Sequence, residues 1–157
     1  TLSCYLSRDL ENWENSKVVF EIPQDFWAYK DVWAGEVHKY KGKYYLFYSA
    51  NHFMSRDYAV GYAVADSPLG PWKKPNDNRI IHRSTVGENG SGHGDVFDDS
   101  KGNIFYVYHV HHSDHAVSPR LTRIVPLHFV PSADGFDRVE VKREEVIVPI
   151  VKTGGKK

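Results

Sequence analysis

The sequence predicts an all-β chain that forms part of a β-propeller, and three observations carry this. One pattern occurs twice, as KGKYYLFYSA and KGNIFYVYHV, each with a charged, glycine-bearing turn before an aromatic-rich strand; Gly42 and Gly102 lie 60 residues apart. Self-similar units of supersecondary size mark solenoids or propellers, and β-rich units with aromatic motifs mark propellers. No stretch shows the 3.6-residue period of a helix of any length.

Length sets the extent. A four-stranded blade with its turns needs about 40–60 residues, so 157 residues hold two to three antiparallel blades. Roughly, the units are 1–30, 31–90 and 91–152, with 153–157 expected to be a disordered tail. A propeller that does not close leaves sheet edges uncovered, which favours association; a homo-oligomer through open blade edges is therefore expected.

Along the chain, a strand through Cys4 and Tyr5 leads into the SRDLENWE turn, where Asp9 can cap backbone amides. Lys17 to Ile22 reads as a short strand closed by Pro23. Lys43 to Ala50 and Tyr58 to Ala65 are the clearest strands, both rich in aromatic and β-branched residues. In the second, bulky Tyr58, Val60, Tyr62 and Val64 alternate with Ala59, Gly61, Ala63 and Ala65, so one face is nearly bare and lets a neighbouring layer approach. SPLGPW, Ser67 to Trp72, is a turn. Asn76 to Gly92 reads as a polar loop interrupted by Ile80 and Ile81. Asp95 to Phe97, Asn103 to His111, Leu121 to Val130, Asp137 to Lys142 and Val146 to Val151 are the remaining expected strands. Trp13 and Trp72, each beside a turn, are expected to plug blade edges.

Composition narrows the function classes. Twenty basic residues balance twenty acidic ones, so the chain has no general electrostatic attraction to nucleic acid or anionic membrane. No window approaches the ~20 apolar residues of a membrane span. Cys4 is the single cysteine, which rules out an internal disulfide. The N-terminal TLSCYLSRDL carries no visible signal peptide.

Four motifs in order carry a family resemblance: SRDLENWE, WAGEVHKYKGKYYLFYSA with YAVGYAVADSPLGPW, GHGDVFDDSKGNIFYVYH, and PRLTRIVPLHF. They resemble glycoside hydrolase family 43. The resemblance implies a five-bladed β-propeller with the active site at one end of its axis. It further implies inverting hydrolysis of α-L-arabinofuranosides or β-D-xylosides by an Asp base, a Glu acid and an Asp that tunes the acid. The partner implied is an arabinose- or xylose-containing saccharide, and the location secreted or periplasmic. No organic cofactor is implied, but calcium at the propeller axis is, held largely through water over a histidine that matches His93. The alternatives are a noncatalytic carbohydrate-binding module and a self-associating half-propeller.

Glu36 is the central candidate. Aligned on Gly42 as the family's acid-bearing EGP motif, the acid falls on Trp33; read as the WAPEV motif of an earlier blade, Trp33, Ala34, Glu36 and Val37 all match and Gly35 replaces the proline. Glu36 is thus either a proton donor or a ligand-contact or structural carboxylate. His93 follows Trp33 by 60 residues, which would give both the same radial position at the start of an inner strand. His93 is the candidate metal and pocket residue, against a loop histidine bonded to its glycines. Asp95, where the family more often has serine, is a cation ligand, a stand-in base or a turn cap; Asp31 and Asp57 are further candidates for the base. Trp27, Trp33, His52 and Phe53 form a candidate sugar platform, since sugar faces present C–H groups to rings. His111 and Arg120 are candidate pocket-wall residues. HVHHSDH, His109 to His115, offers zinc-like ligands, though its irregular spacing favours strand-end histidines beside a sugar pocket.

Overall fold

The computed structural model describes residues 1–22, 26–75 and 79–151; Pro23, the start of the Asn76–Gly92 loop and the tail 153–157 lie outside them. Two larger antiparallel sheets form the body. The first has four strands in the order β3 (Val32–Tyr40), β4 (Lys43–Ala50), β5 (Ala59–Ala65) and β6 (Arg79–Ile81). The second has three, β7 (Gly92–Asp98), β8 (Ile104–Val110) and β9 (Leu121–Pro126). Two-stranded sheets flank them: β1 (Leu2–Cys4) with β2 (Lys17–Phe20), and β10 (His128–Val130) with β11 (Arg138–Glu140).

The alternation of β4 explains why the first sheet is buried on both faces. Tyr45 and Phe47 point into a core shared with Val60, Tyr62 and Val64 of β5 and with Tyr106, Tyr108, Val110 and Val125 of the second sheet. Leu46 and Tyr48 point the other way, into a smaller cluster with Phe20, Ala28, Ala50 and Ala63. The predicted division of β5 holds: its bulky residues fill the shared core, and its bare face admits Tyr48 and Phe20. The period of two along a strand turns directly into two packed layers.

Three expected elements differ. The run from Leu121 to Val130 breaks at Pro126, which has no amide to continue a ladder; Leu127 then donates to the Ile104 carbonyl at 2.8 Å, and His128–Val130 changes sheet to pair with β11. Val146 to Val151 is not a strand. Ile147 alone bridges Ile124, and Pro149 follows, leaving Val148, Ile150 and Val151 exposed. The loop before Gly92 contains β6, built on Ile80 and Ile81, and a single helical turn, α1 (Arg83–Val86), capped by His82.

The SRDLENWE turn is held by Asp9, whose carboxylate accepts from the Glu11 and Asn12 amides at 3.0 and 2.8 Å. These bonds hold its carboxyl well below the usual range, the Asn12 side chain first among them. Trp13 does not plug a blade edge. It is 55% exposed and closes the same turn, donating from Nε1 to the Leu10 carbonyl at 3.1 Å. Trp72 is half-buried against the smaller cluster.

Phe47 is fully buried where the two sheets meet, whereas Val37 on the neighbouring strand is 43% exposed. Phe47→Ala should lower unfolding free energy by about 3–5 kcal/mol and Val37→Ala by at most about 0.5 kcal/mol, as read from urea midpoints at constant m. Similar losses at both positions would refute this account of the core.

Candidate active site

The two inner strands carry the same irregularity. In β3 the register with β4 shifts between Trp33 and Glu36, and in β7 the register with β8 shifts between Gly92 and Asp95. Ala34 and His93, the first bulged residues, both adopt left-handed backbone, with φ of 47° and 51°. Bulges re-aim side chains next to functional sites. The matching positions are 59 apart, so His93 corresponds to Ala34 and Asp95 to Glu36. This corrects the pairing of His93 with Trp33. The physical reason is the turn, which holds one more residue in the second copy: Asp99 pairs with Asn103 across three residues, where Tyr40 pairs with Lys43 across two.

Both glycines flanking His93 are required by close approach. A Cβ on Gly94 would lie 2.0 Å from the Val107 carbonyl oxygen and 2.5 Å from the Tyr106 ring, and one on Gly92 would lie 2.4 Å from the Tyr58 ring. The His93 amide donates to the Ser49 hydroxyl at 2.7 Å, which ties the second bulge to β4 of the first sheet.

The two bulges open onto one pocket of about 570 Å³ lined by Glu36, His93, Asp95, Tyr108, His109 and Thr122, among others. Three predicted residues, Glu36, His93 and Asp95, are thereby brought together. Glu36 is half-buried, and its Oε2 is fully buried without a hydrogen-bond partner. Burial, and then the charge of Asp95, push its carboxyl up to about 8. It is therefore a neutral acid at pH 7, which is the state a proton donor needs. His109, on β8, stacks between Tyr58 and His93 with ring centroids 6.0 and 6.2 Å away. Burial, followed by the charges of Arg120, His93 and His111, pushes it down to about 4.

The other predicted residues form a second group at Phe53. Trp33 meets Phe53 edge-on at 6.2 Å, His52 stacks on it at 4.9 Å, and the Arg120 guanidinium lies 5.5 Å from its ring centre. His111 is not a pocket-wall residue. It is buried, and its Nε2 sits 3.1 Å from the Phe53 carbonyl oxygen, because it lies one residue beyond the end of β8 and turns beneath the loop. Trp27 does not join the platform either; it stacks on Tyr48 at 6.0 Å, against the smaller core cluster. Asp57 pairs with the Arg83 guanidinium at 3.0 Å and meets the His82 imidazole at 3.4 Å, and Asp31 does not line the pocket.

Sequence reasoning missed Asn51 and Tyr106, whereas His109 lies in the pocket wall, as expected of a strand-end histidine beside a pocket. Asn51 adopts φ 77°; its side chain accepts from the Tyr29 amide at 3.1 Å and donates to the Trp27 and Asp57 carbonyls at 3.2 and 3.1 Å. It fastens the segment before β3 to the loop after β4. An asparagine just past a strand is a detectable signal, since Asn tolerates left-handed backbone, but its partners are set by folding.

The donor set does not make a calcium shell by itself. Ca²⁺ takes six to eight oxygen ligands, whereas among the described residues no group of three His, Cys, Asp or Glu converges as a metal site. The same observation leaves the zinc arrangement of HVHHSDH unassembled.

Successive antiparallel sheets packed face to face fit the blades of a β-propeller, and the likeness to solved family structures makes this chain part of one. Its sequence matches glycosyl hydrolases family 43 in two overlapping stretches, residues 1–85 and 50–136, and the chain belongs to that family. It is 34% identical over 90 residues, 53% of this chain and 27% of the relative, to the extracellular endo-alpha-(1->5)-L-arabinanase 1 of Bacillus subtilis. Among solved structures, a thermostable family-43 glycoside hydrolase superposes with TM-score 0.72 at 36% identity over 87% of this chain and 46% of its own. An endo-1,4-beta-xylanase from Bacteroides thetaiotaomicron superposes with TM-score 0.68 at 31% identity over 90% of this chain and 47% of its own. The chain spans about a quarter of that curated relative and about half of each solved one.

Gly94→Ala should cost about 3 kcal/mol, the upper range for overpacking, because the neighbour it meets is backbone rather than a flexible side chain. A thermal midpoint unchanged from the parent would show that β7 can retreat from β8 freely.

Proposed function

We propose that this chain carries a glycoside-hydrolysing site of the family-43 type that acts by inversion on arabinose- or xylose-containing saccharides. One observation supports it above the others: a carboxyl group kept protonated to about pH 8 in the pocket, beside a second carboxylate. Inverting hydrolysis needs an acid for the leaving oxygen and a base for water on the opposite face of the sugar. Glu36 gives its proton to the glycosidic oxygen as the bond to the anomeric carbon breaks. A water attacks that carbon, and its proton passes to Asp95. Before reaction burial, and then the charge of Asp95, keep the proton on Glu36, so the two groups are matched as acid and base.

Phe53, with Trp33, His52 and Arg120 around it, serves as the platform for a neighbouring sugar. The names of the arabinanase relatives include the word extracellular, and we extend that location to this protein. Our reading includes an axial calcium held through water over His93. The exposed Val148, Ile150 and Val151 favour the self-association expected of open edges.

The test is release of nitrophenol from aryl α-L-arabinofuranoside and β-D-xyloside, with solution mass read on the same sample. Glu36→Gln should reduce turnover by roughly 10²–10⁴-fold, and the parent's activity should fall on the basic side as pH rises through about 8. Undiminished turnover in Glu36→Gln would remove the assignment; saccharide binding by the parent without turnover would replace hydrolysis with recognition.

Stability should follow the same proton. Folded, Glu36 keeps it up to about 8, against an ordinary value of 4.5. The folded state therefore binds more protons than the unfolded state across that window, and stability falls as pH rises through it. Glu36→Gln is neutral throughout, so its melting temperature should rise relative to the parent across the window and stay above it at higher pH. A difference independent of pH would contradict the buried-acid assignment.

A further inference from the structure

The two bulges that open onto the pocket belong to different sheets, and one residue of β4 joins them. In β3, three steps from Trp33 to Glu36 face two steps of β4, from Ser49 to Phe47. In β7, three steps from Gly92 to Asp95 face two steps of β8, from His109 to Val107. Ser49 is thus the ladder partner that borders the first bulge, and its hydroxyl accepts from the His93 amide inside the second at 2.7 Å. Among the described residues, this is the one hydrogen bond between a strand of the first sheet and a strand of the second. The residue type at position 49 follows from that contact. Alternation along β4 puts Tyr45, Phe47 and Ser49 on one face; the two rings fill the shared core, and Ser49 is 0% exposed. A third large ring would continue the core and hold β7 away, whereas a buried serine lets the strand approach and gives its amide an acceptor. His93 needs that support, because it is a non-glycine residue with φ 51°, a left-handed backbone that persists only where its surroundings fix it.

We propose that Ser49 is a positioning residue of the pocket: by holding the His93 bulge against the ladder that carries the Glu36 bulge, it sets the separation of Glu36 and Asp95. This rests on the reading of those two residues as acid and base. Ser49 does not line the pocket itself, so it acts through the two backbones. Inverting hydrolysis needs its carboxyl groups about 6.5–9.5 Å apart, to leave room for the attacking water. A bulge that drifts out of that range lowers turnover while both groups stay in place.

The experiment compares the parent with Ser49→Ala, which deletes the acceptor, and Ser49→Cys, which fills the space but accepts weakly. Hydrogen exchange read by NMR follows the His93 amide against the ladder amides of β8. Aryl glycoside hydrolysis gives kcat and KM on the same samples, with Glu36→Gln alongside. In both Ser49 variants the His93 amide should exchange about tenfold faster relative to the β8 amides, and kcat should fall roughly 10–100-fold with KM little changed. Parent-like exchange and kcat in Ser49→Cys would reduce Ser49 to a filler of space and overturn the role. Equal acceleration of the His93 and β8 amides would mark general destabilisation and overturn it too. Loss of activity in Glu36→Gln with parent-like kcat in Ser49→Ala would overturn the positioning role alone. Retained hydrolysis in Glu36→Gln, or none in the parent, would overturn the acid and base reading and the positioning role with it.

Discussion

The distance between β7 and β8 at Gly94 sets the geometry of the site. With no side chain there, the strand backbone lies against the Val107 carbonyl, and the Tyr106 ring fits beneath. Tyr106 in turn packs on Phe47 of the first sheet. The bond from the His93 amide to Ser49 closes the same interface from the other end. Because protein interiors are close-packed, such a spacing is transmitted rather than absorbed. Asp95 follows Gly94 directly on β7, so this spacing carries through to the carboxylate that shares the pocket with Glu36.

The electrostatics follow from that closeness. A half-buried carboxyl pays to ionise, and a second negative charge nearby adds to the cost. Glu36 answers by keeping its proton. His109 answers the same pressure in the opposite sense, remaining neutral between Tyr58 and His93 because burial, and then the nearby Arg120 charge, disfavour its charged form. The pocket thus holds an acid and an imidazole that are both uncharged at neutral pH.

The repeat is present twice, in sequence and in space, but the two registers differ by one residue. Sequence letters align best on the glycines of the turns, where the offset is 60. The bulges, which aim the side chains, are offset by 59. A turn absorbs an extra residue at the surface without disturbing the ladder, so the turn glycines are good markers of the unit and poor markers of its inner face. That single residue moves Trp33 away from equivalence with His93 and brings Glu36 into equivalence with Asp95. Trp33 then goes to the Phe53 platform.

What the amino-acid sequence determined alone was everything that local chemistry dictates. Alternation in β4 and β5, the Asp9 turn, the repeated strand pairs and the family motifs were all legible, as was the convergence of Glu36, His93 and Asp95 in one region. Tertiary structure decided the rest. Trp27 and His111 have residue types suited to sugar contact, yet one became a core ring and the other a prop beneath Phe53. Tyr106 reads as one more strand aromatic until the bare Cα of Gly94 lets its ring lie against β7. Spacing along a strand tells which face a side chain takes, but its neighbours there come from another sheet, and the proton held by Glu36 depends on those neighbours.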